Sequence, residues 1–392
     1  MTSFPPKNVF YATSARLGGV GLDTVALESV IGLHEAGILG KALAYENRQT
    51  IVPARKISTM RAAPVKLLSW LRRDYYYGAK KHYADWVAEG ELRRGNYDSF
   101  HGWSGDALRT LRVAKERGIP SLLEIPTWHR NKGKIKPAIT MSERKRDQAT
   151  WPQSWLNRLL ITRQQVMEEY NLADLILVLS QKAAETFLVQ GVPEEKLFRF
   201  SRGVDPVRFS PAEIKPEKLR FIFVGALIKR KGVHILLEAW KKLALPHAEL
   251  VLVGTLHSEI EPYLQEFKTD SVRLAGFAGK VEEIYRSAHV HVFPSECEGS
   301  AKVTYEAAAC GLAQITTRES GDVVLDGING LIVPPNDVDA LTAAIQKLAA
   351  DSDLVARMGT SGRQRILENF TWGHFRKRLL EAHCTAYQRV YG

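Results

Sequence analysis

Cysteine is nearly missing from these 392 residues. There are three, Cys297, Cys310 and Cys384. Their odd number and wide spacing exclude a disulfide framework and predict a reducing, cytoplasmic setting. No His, Cys, Asp or Glu cluster has metal-ligand spacing. Long apolar runs are missing too, since none reaches the ~18 residues a membrane span needs. Met1 to Asn8 has no apolar signal core, which predicts no secretory leader. Short-period repeats and low-complexity segments are absent. Acidic residues are in deficit, with 54 Lys and Arg against 43 Asp and Glu, a net charge of +11. That excess favours anionic partners such as nucleotide phosphates, acidic lipid or nucleic acid, without choosing among them.

What is present is ordinary for a soluble globular chain, with 45% hydrophobic and 25% charged residues. The length suffices for two domains. Val9 to Thr13 reads as a strand, Ser14 to Gly21 as a glycine loop and Leu22 to Ala36 as a helix. Asp98 to His101 and Ser121 to Ile125 read as later strands, with a helix over Ala107 to Arg117 between them. Ala173 to Ser180 is nearly continuous apolar, as a strand covered on both faces requires. A second series opens at Leu219 to Gly225. It continues with helix Val233 to Leu243, strand Glu249 to Gly254, strand His289 to Phe293, strand Ala313 to Thr317 and a helix from Val338 to Ala349. This alternation predicts an α/β fold with parallel sheets. The polar, Pro-rich stretch from Gly203 to Glu217 reads as a linker.

Glu298-Gly299-Ser300-Ala301-Lys302-Val303-Thr304-Tyr305-Glu306-Ala307-Ala308-Ala309-Cys310-Gly311 is the richest segment. Glu298 lies on the loop past a buried strand. Glu306 is expected about two turns into the next helix, at ~3.6 residues per turn. Ligands of open α/β sheets bind at that end. Two carboxylates at two depths suit two hydroxyl-rich parts of one ligand. Gly225 to Gly232 also links a strand to a helix. Its Arg230 and Lys231 suit a diphosphate beside a helix N-terminus.

The two segments together resemble the retaining glycosyltransferases of family 4, which have the GT-B fold. Asp174, Gly191-Val192-Pro193, Lys196, Gly203-Val204-Asp205, Phe209-Ser210-Pro211, Asp326 to Leu331 and Pro334-Pro335 support the likeness, strong from Ala173 to Arg376. The first half matches in layout and in a few residues. Arg202 departs from the Asn usual before the Gly. Ala226 departs from the Arg many members carry after the first Gly.

The resemblance implies two Rossmann-like domains facing each other across a cleft: 1–205 for the acceptor, 206–370 for the nucleotide-sugar, and a helix at 371–392 crossing back to the first. It implies transfer of a hexosyl group from a nucleotide-diphosphate-sugar to a hydroxyl of a glycan, lipid-linked or envelope-polysaccharide acceptor. Configuration is retained, by front-face departure of the diphosphate, and no metal or other cofactor is needed. Glu298 would hold the sugar and Glu306 the ribose. Lys231 and Arg230 would meet the diphosphate. Gly299, Ser300, Lys302 and Val303 complete the donor site. Gly18 and Gly19 would let backbone approach the donor phosphate. His129, or alternatively His101, would stand near the reacting sugar. Two other functions stay open: a sugar-nucleotide epimerase of the same fold, and a non-catalytic protein binding polyanions or membrane.

Asp337-Val338-Asp339 opens a helix after Pro335-Asn336 and reads as a cap, not a metal motif. Arg55 to Arg94 holds ten Lys and Arg against four Asp and Glu, among six Trp and Tyr residues. Val65 to Arg73 is expected to form an amphipathic basic helix, and Arg130 to Arg146 adds charge. This face either lies on anionic membrane, at the inner surface, or is a solvated face over buried aromatics. Nucleic acid is not expected, for want of a binding motif.

Overall fold

The computed structural model describes residues 6–60, 63–131, 153–214 and 216–392. Positions 132–146 of the basic run Arg130 to Arg146 lie outside the described residues.

The chain divides into two units. One comprises 1–178, 186–200 and 375–392, the other 179–185 and 201–374. Each is an α/β layered unit, the architecture expected of alternating strand and helix patterns.

In the first unit, seven strands among the described residues form one sheet. Their order is Ile57–Thr59, Leu39–Ala44, Val9–Ala12, Ser99–Trp103, Ser121–Ile125, Leu175–Val178, Leu197–Arg199. Every neighbouring pair is parallel. The central strands are covered on both faces, and Leu175, Ile176, Leu177 and Val178 have no exposed surface. Each such side chain contributes about 1.5–3 kcal/mol of transfer free energy. The helix Leu108–Glu116 has no cap of its own. Asp85 instead accepts the N–H groups of Arg109 and Thr110, at 2.7 and 3.0 Å, and Glu169 accepts that of Ala107 at 3.1 Å. Two carboxylates from other helices thus satisfy the orphan donors of its first turn.

The terminal helix Trp372–Tyr391 also packs into this unit from Phe375 onward. Arg376 bridges Glu28 and Glu35, at 2.6 and 2.8 Å. His383 Nδ1 is 3.0 Å from Ser99 Oγ, and Phe375 meets Phe200 at 4.6 Å between ring centroids.

The second unit holds a six-stranded parallel sheet. Its order is Val272–Gly276, Ala248–Val253, Leu219–Val224, Val290–Phe293, Ala313–Thr316, Gly330–Ile332. Phe221, Phe223, Trp240, Leu250 and Leu252 fill its core. Asp337 caps the helix Val338–Ala350 by accepting the Ala340 N–H at 2.8 Å.

Two expectations need correction. Val65 to Arg73 is not an amphipathic helix. A four-residue helix ends at Lys66, and single turns follow, Leu68 N to Val65 O and Leu71 N to Leu68 O. Leu67 and Trp70 remain 75% and 79% exposed, so no tertiary packing supports a helix there. Glu306 also lies shallower than expected. Its helix begins at Lys302, placing it just over one turn in, not two.

Candidate functional site

Strand order locates the site in the second unit. From Leu219–Val224 the chain steps outward through Ala248–Val253 and Val272–Gly276, then returns to the other side at Val290–Phe293. The loops after Leu219–Val224 and Val290–Phe293 therefore diverge, leaving a crevice at their carboxyl ends. The two motif segments are these loops.

Glycines allow them to pack backbone against backbone. Gly232 has φ 75°, and a Cβ there would lie 2.2 Å from the Pro294 carbonyl oxygen. A Cβ on Gly254 would lie 1.9 Å from that of Gly225. The Glu296 N–H and Ser295 Oγ donate to the Arg230 carbonyl at 2.9 and 3.1 Å. The turn Lys229–Lys231 is thus fixed on the loop that carries Glu298.

Glu298 Oε1 accepts from Arg230 Nη1 at 2.9 Å, and Lys231 Nζ stands 3.9 Å away. Arg230 also donates to the Cys297 carbonyl. Lys231 lies 5.2 Å from the Phe293 ring centroid. Burial pulls its amine below the usual lysine range, and Glu298 opposes that shift. Two cations thus converge on one carboxylate, inside a half-buried crevice where charge interactions exceed those in water.

Glu306 is 3% exposed. Lys302 Nζ meets its Oε1 at 2.7 Å and Tyr285 OH donates to its Oε2 at 3.1 Å. The Lys302–Ala309 helix opens toward the same loop, with Lys302 and Val303 in its first turn. That end carries unpaired N–H groups and a positive partial charge. Gly299 is held through its carbonyl, which accepts from Ser180 Oγ at 2.7 Å. Ser300 Oγ is 2.7 Å from Tyr305 OH. Tyr285 and Ser180 escaped the sequence reading, because both come from other elements and carry no local motif.

The residues expected from the first unit are placed differently. Gly18 has φ 95° and packs on the Arg48 backbone. A Cβ on Gly19 would strike Asp23 Oδ2 at 2.3 Å. Both glycines thus have local packing reasons. His129 is fully buried, with its ring edge-on to Phe187 at 4.8 Å. Its Nδ1 accepts the Asn131 N–H at 3.2 Å, so the neutral ring carries its proton on Nε2. Burial, then Arg163, pushes its pKa down to about 4. His101 is buried as well, pushed down to about 3 by desolvation, with Nε2 3.6 Å from Glu124 Oε2. Neither imidazole takes up a proton near neutral pH.

Among the described residues, no group of three or more His, Cys, Asp or Glu is arranged to hold a metal ion. No helix among them is long and apolar enough to cross a membrane.

Comparison with known proteins bears on this geometry. Residues 218–351 match a family model described as Glycosyl transferases group 1. A GDP-mannose-dependent alpha-(1-6)-phosphatidylinositol monomannoside mannosyltransferase of Mycolicibacterium smegmatis is 29% identical over 246 residues, 54% of this chain and 62% of that protein. The chain spans about two-fifths to three-fifths of the length of the first curated relatives it matches. Sucrose-phosphate synthase of Thermosynechococcus elongatus superposes with a TM-score of 0.68 at 20% identity, covering 95% of this chain and 96% of that one. Anabaena HepE, crystallised with UDP, gives 0.67 at 16% identity, covering 96% and 98%. The fold is GT-B.

Proposed function

We propose, from the match of residues 218–351 to the group 1 glycosyl transferases, that the chain moves a hexosyl group from a nucleotide-diphosphate-sugar to a hydroxyl acceptor. The acceptor class is a glycan, or a lipid-linked or envelope-polysaccharide precursor. One observation carries the reading. At the crevice of the second sheet, two carboxylates are each held by cations that a donor could recruit: Glu298 by Arg230 and Lys231, Glu306 by Lys302. HepE is also crystallised with UDP-glucose, and the mycobacterial relative is named for GDP-mannose. Nucleotide-sugars are the donor class these names share.

In this reading the incoming diphosphate takes over Arg230 and Lys231. Glu298 turns to a sugar hydroxyl, and Glu306 takes the ribose while keeping Tyr285. Gly299, Ser300 and the first turn at Lys302 and Val303 present N–H groups to the leaving phosphate. The acceptor oxygen bonds to the anomeric carbon on the face the diphosphate leaves, so configuration is retained. The carbon–phosphate oxygen bond breaks with its electron pair, and the hydroxyl proton passes to that oxygen. Cations and helix N-termini stabilise the charge without a metal ion.

A membrane reading rests on a separate observation. Leu67 and Trp70 stand exposed beside Arg72 and Arg73, an apolar and basic pairing suited to anionic lipid at the cytoplasmic face.

Thermal unfolding against a panel of nucleotide-sugars tests the main proposal. A donor at a hundredfold its Kd stabilises by about 2.7 kcal/mol. No stabilisation by any member overturns it. Turnover of the sugar-nucleotide without acceptor would instead select the epimerase.

A further inference from the structure

The first unit has a crevice of its own. Strands run outward from Val9–Ala12 to Leu39–Ala44 and Ile57–Thr59 on one side, and start again at Ser99–Trp103 on the other. At the carboxyl ends of the outward strands lies a cavity of about 560 Å3. A short parallel ladder, Arg16–Leu17 on Glu46–Asn47, supplies several of its lining residues.

Its charges do not balance. Glu46 is held by two guanidiniums, Arg16 Nε at 3.2 Å and Arg48 through Nε and Nη2 at 2.8 and 3.1 Å. Lys66 also lines the space. Lys80 stands 3.9 Å over the ring of Tyr45, another lining residue, and is only 9% exposed. Among the described residues no carboxylate comes within 4.0 Å of its amine or that of Lys66. Desolvation, then Arg16, depresses Lys80 to about 8, against the opposing pull of Asp23 and Asp106. In the lining itself Arg16, Arg48 and Lys66 outnumber the single carboxylate Glu46, and an anion in the cavity offsets that excess. Thr59, Ser69 and Tyr76 add hydroxyls to the lining.

We propose that this cavity seats an acidic group of the acceptor, a phosphate or carboxylate flanked by hydroxyls. The proposal rests on the transferase reading, because only an acceptor gives the cavity a role in that reaction.

Calorimetry on the full chain with glucose 6-phosphate, glucuronate and glucose tests it. Glucose 6-phosphate or glucuronate is expected to bind at millimolar concentration, and glucose far more weakly. Arg48→Gln with Lys66→Gln should weaken the acidic sugar on the order of tenfold or more, through loss of charge-assisted bonds. Lys80→Met should do so independently. Lys231→Ala should leave acidic-sugar binding intact, separating this cavity from the donor crevice. Anionic phosphatidylglycerol vesicles that displace the probe assign the anion to a lipid, and vesicles that do not assign it to a soluble acceptor. Equal binding of glucose and its acidic forms, binding of none, or unchanged affinity in the charge variants overturns the proposal. Nucleoside diphosphate affinity, measured alongside, reports on the transferase reading: its absence with intact acidic-sugar binding faults that reading and not the cavity.

Discussion

The two units share one architecture, and the titratable groups that the sequence singled out in each are held differently. In the second, Glu298, Arg230 and Lys231 meet in a half-buried crevice at the strand ends. In the first, His101, His129, Glu124 and Glu169 are buried within the unit, and burial moves the histidines far below neutrality. Buried groups of that kind hold a structure together. Cations opposed to exchangeable carboxylates can change partner when a charged ligand arrives. The same residue types therefore serve different ends according to depth.

The sharpest way to break this contrast is Lys231→Ala. It should weaken nucleoside diphosphate binding ten- to a hundredfold, the ~1.5–3 kcal/mol of a charge-assisted contact. Unchanged affinity in calorimetry would remove the crevice from the donor site. Glu306→Ala should lower affinity for both the diphosphate and the intact donor, by roughly tenfold, through loss of the ribose contact. Glu298→Ala should differ in sign. It releases Arg230 and Lys231, so diphosphate binding holds or tightens while transfer falls, as steady-state rates would show. Equal losses in the two glutamate variants would refute the division between them.

Weaker effects are expected in the first unit. Replacing Arg72 and Arg73 with Gln should release the protein from anionic liposomes at low salt, at ~1 kcal/mol per charge, with donor binding unchanged. Wild-type protein left in the supernatant after sedimentation ends that idea. The buried histidines give the smallest signal. His101 and His129 have folded pKa values near 3 and 4, below the ordinary 6.5. The unfolded chain therefore binds more protons, and stability is lost as pH falls from about 6.5 toward 4 for His129 and toward 3 for His101. His129→Asn should flatten that acid slope in denaturant titrations, on top of a loss of packing that does not vary with pH. A transfer profile with a limb near 6.5 that vanishes in this variant would instead give His129 a proton-transfer role.

The contrast also explains what the sequence made legible. Gly225 to Gly232 and Glu298 to Glu306 lie on strand-loop-helix connections, so spacing alone carries them to neighbouring loops. Parallel sheets follow from apolar runs such as Leu175 to Val178. Tyr285 was invisible because its hydroxyl reaches Glu306 from another helix. Arg16, Glu46, Arg48 and Lys80 come together only through the sheet, across sixty residues of chain. The amphipathic pattern of Val65 to Arg73 misled, since helical spacing gains nothing where no core receives the apolar face.

The terminal helix has a consequence for how such a molecule is made. Arg376, Phe375 and His383 complete the unit that begins with the first strand. A ribosome that has released the first two hundred residues has not yet supplied that piece. Until it arrives, Phe200 and Ser99 lack their partners, and the nascent first unit waits with an open seam. Most of the second unit, Ser201 to His374, is synthesised in the interval. A stop codon before Trp372 would therefore damage the unit built first, leaving the sequence of the second almost whole.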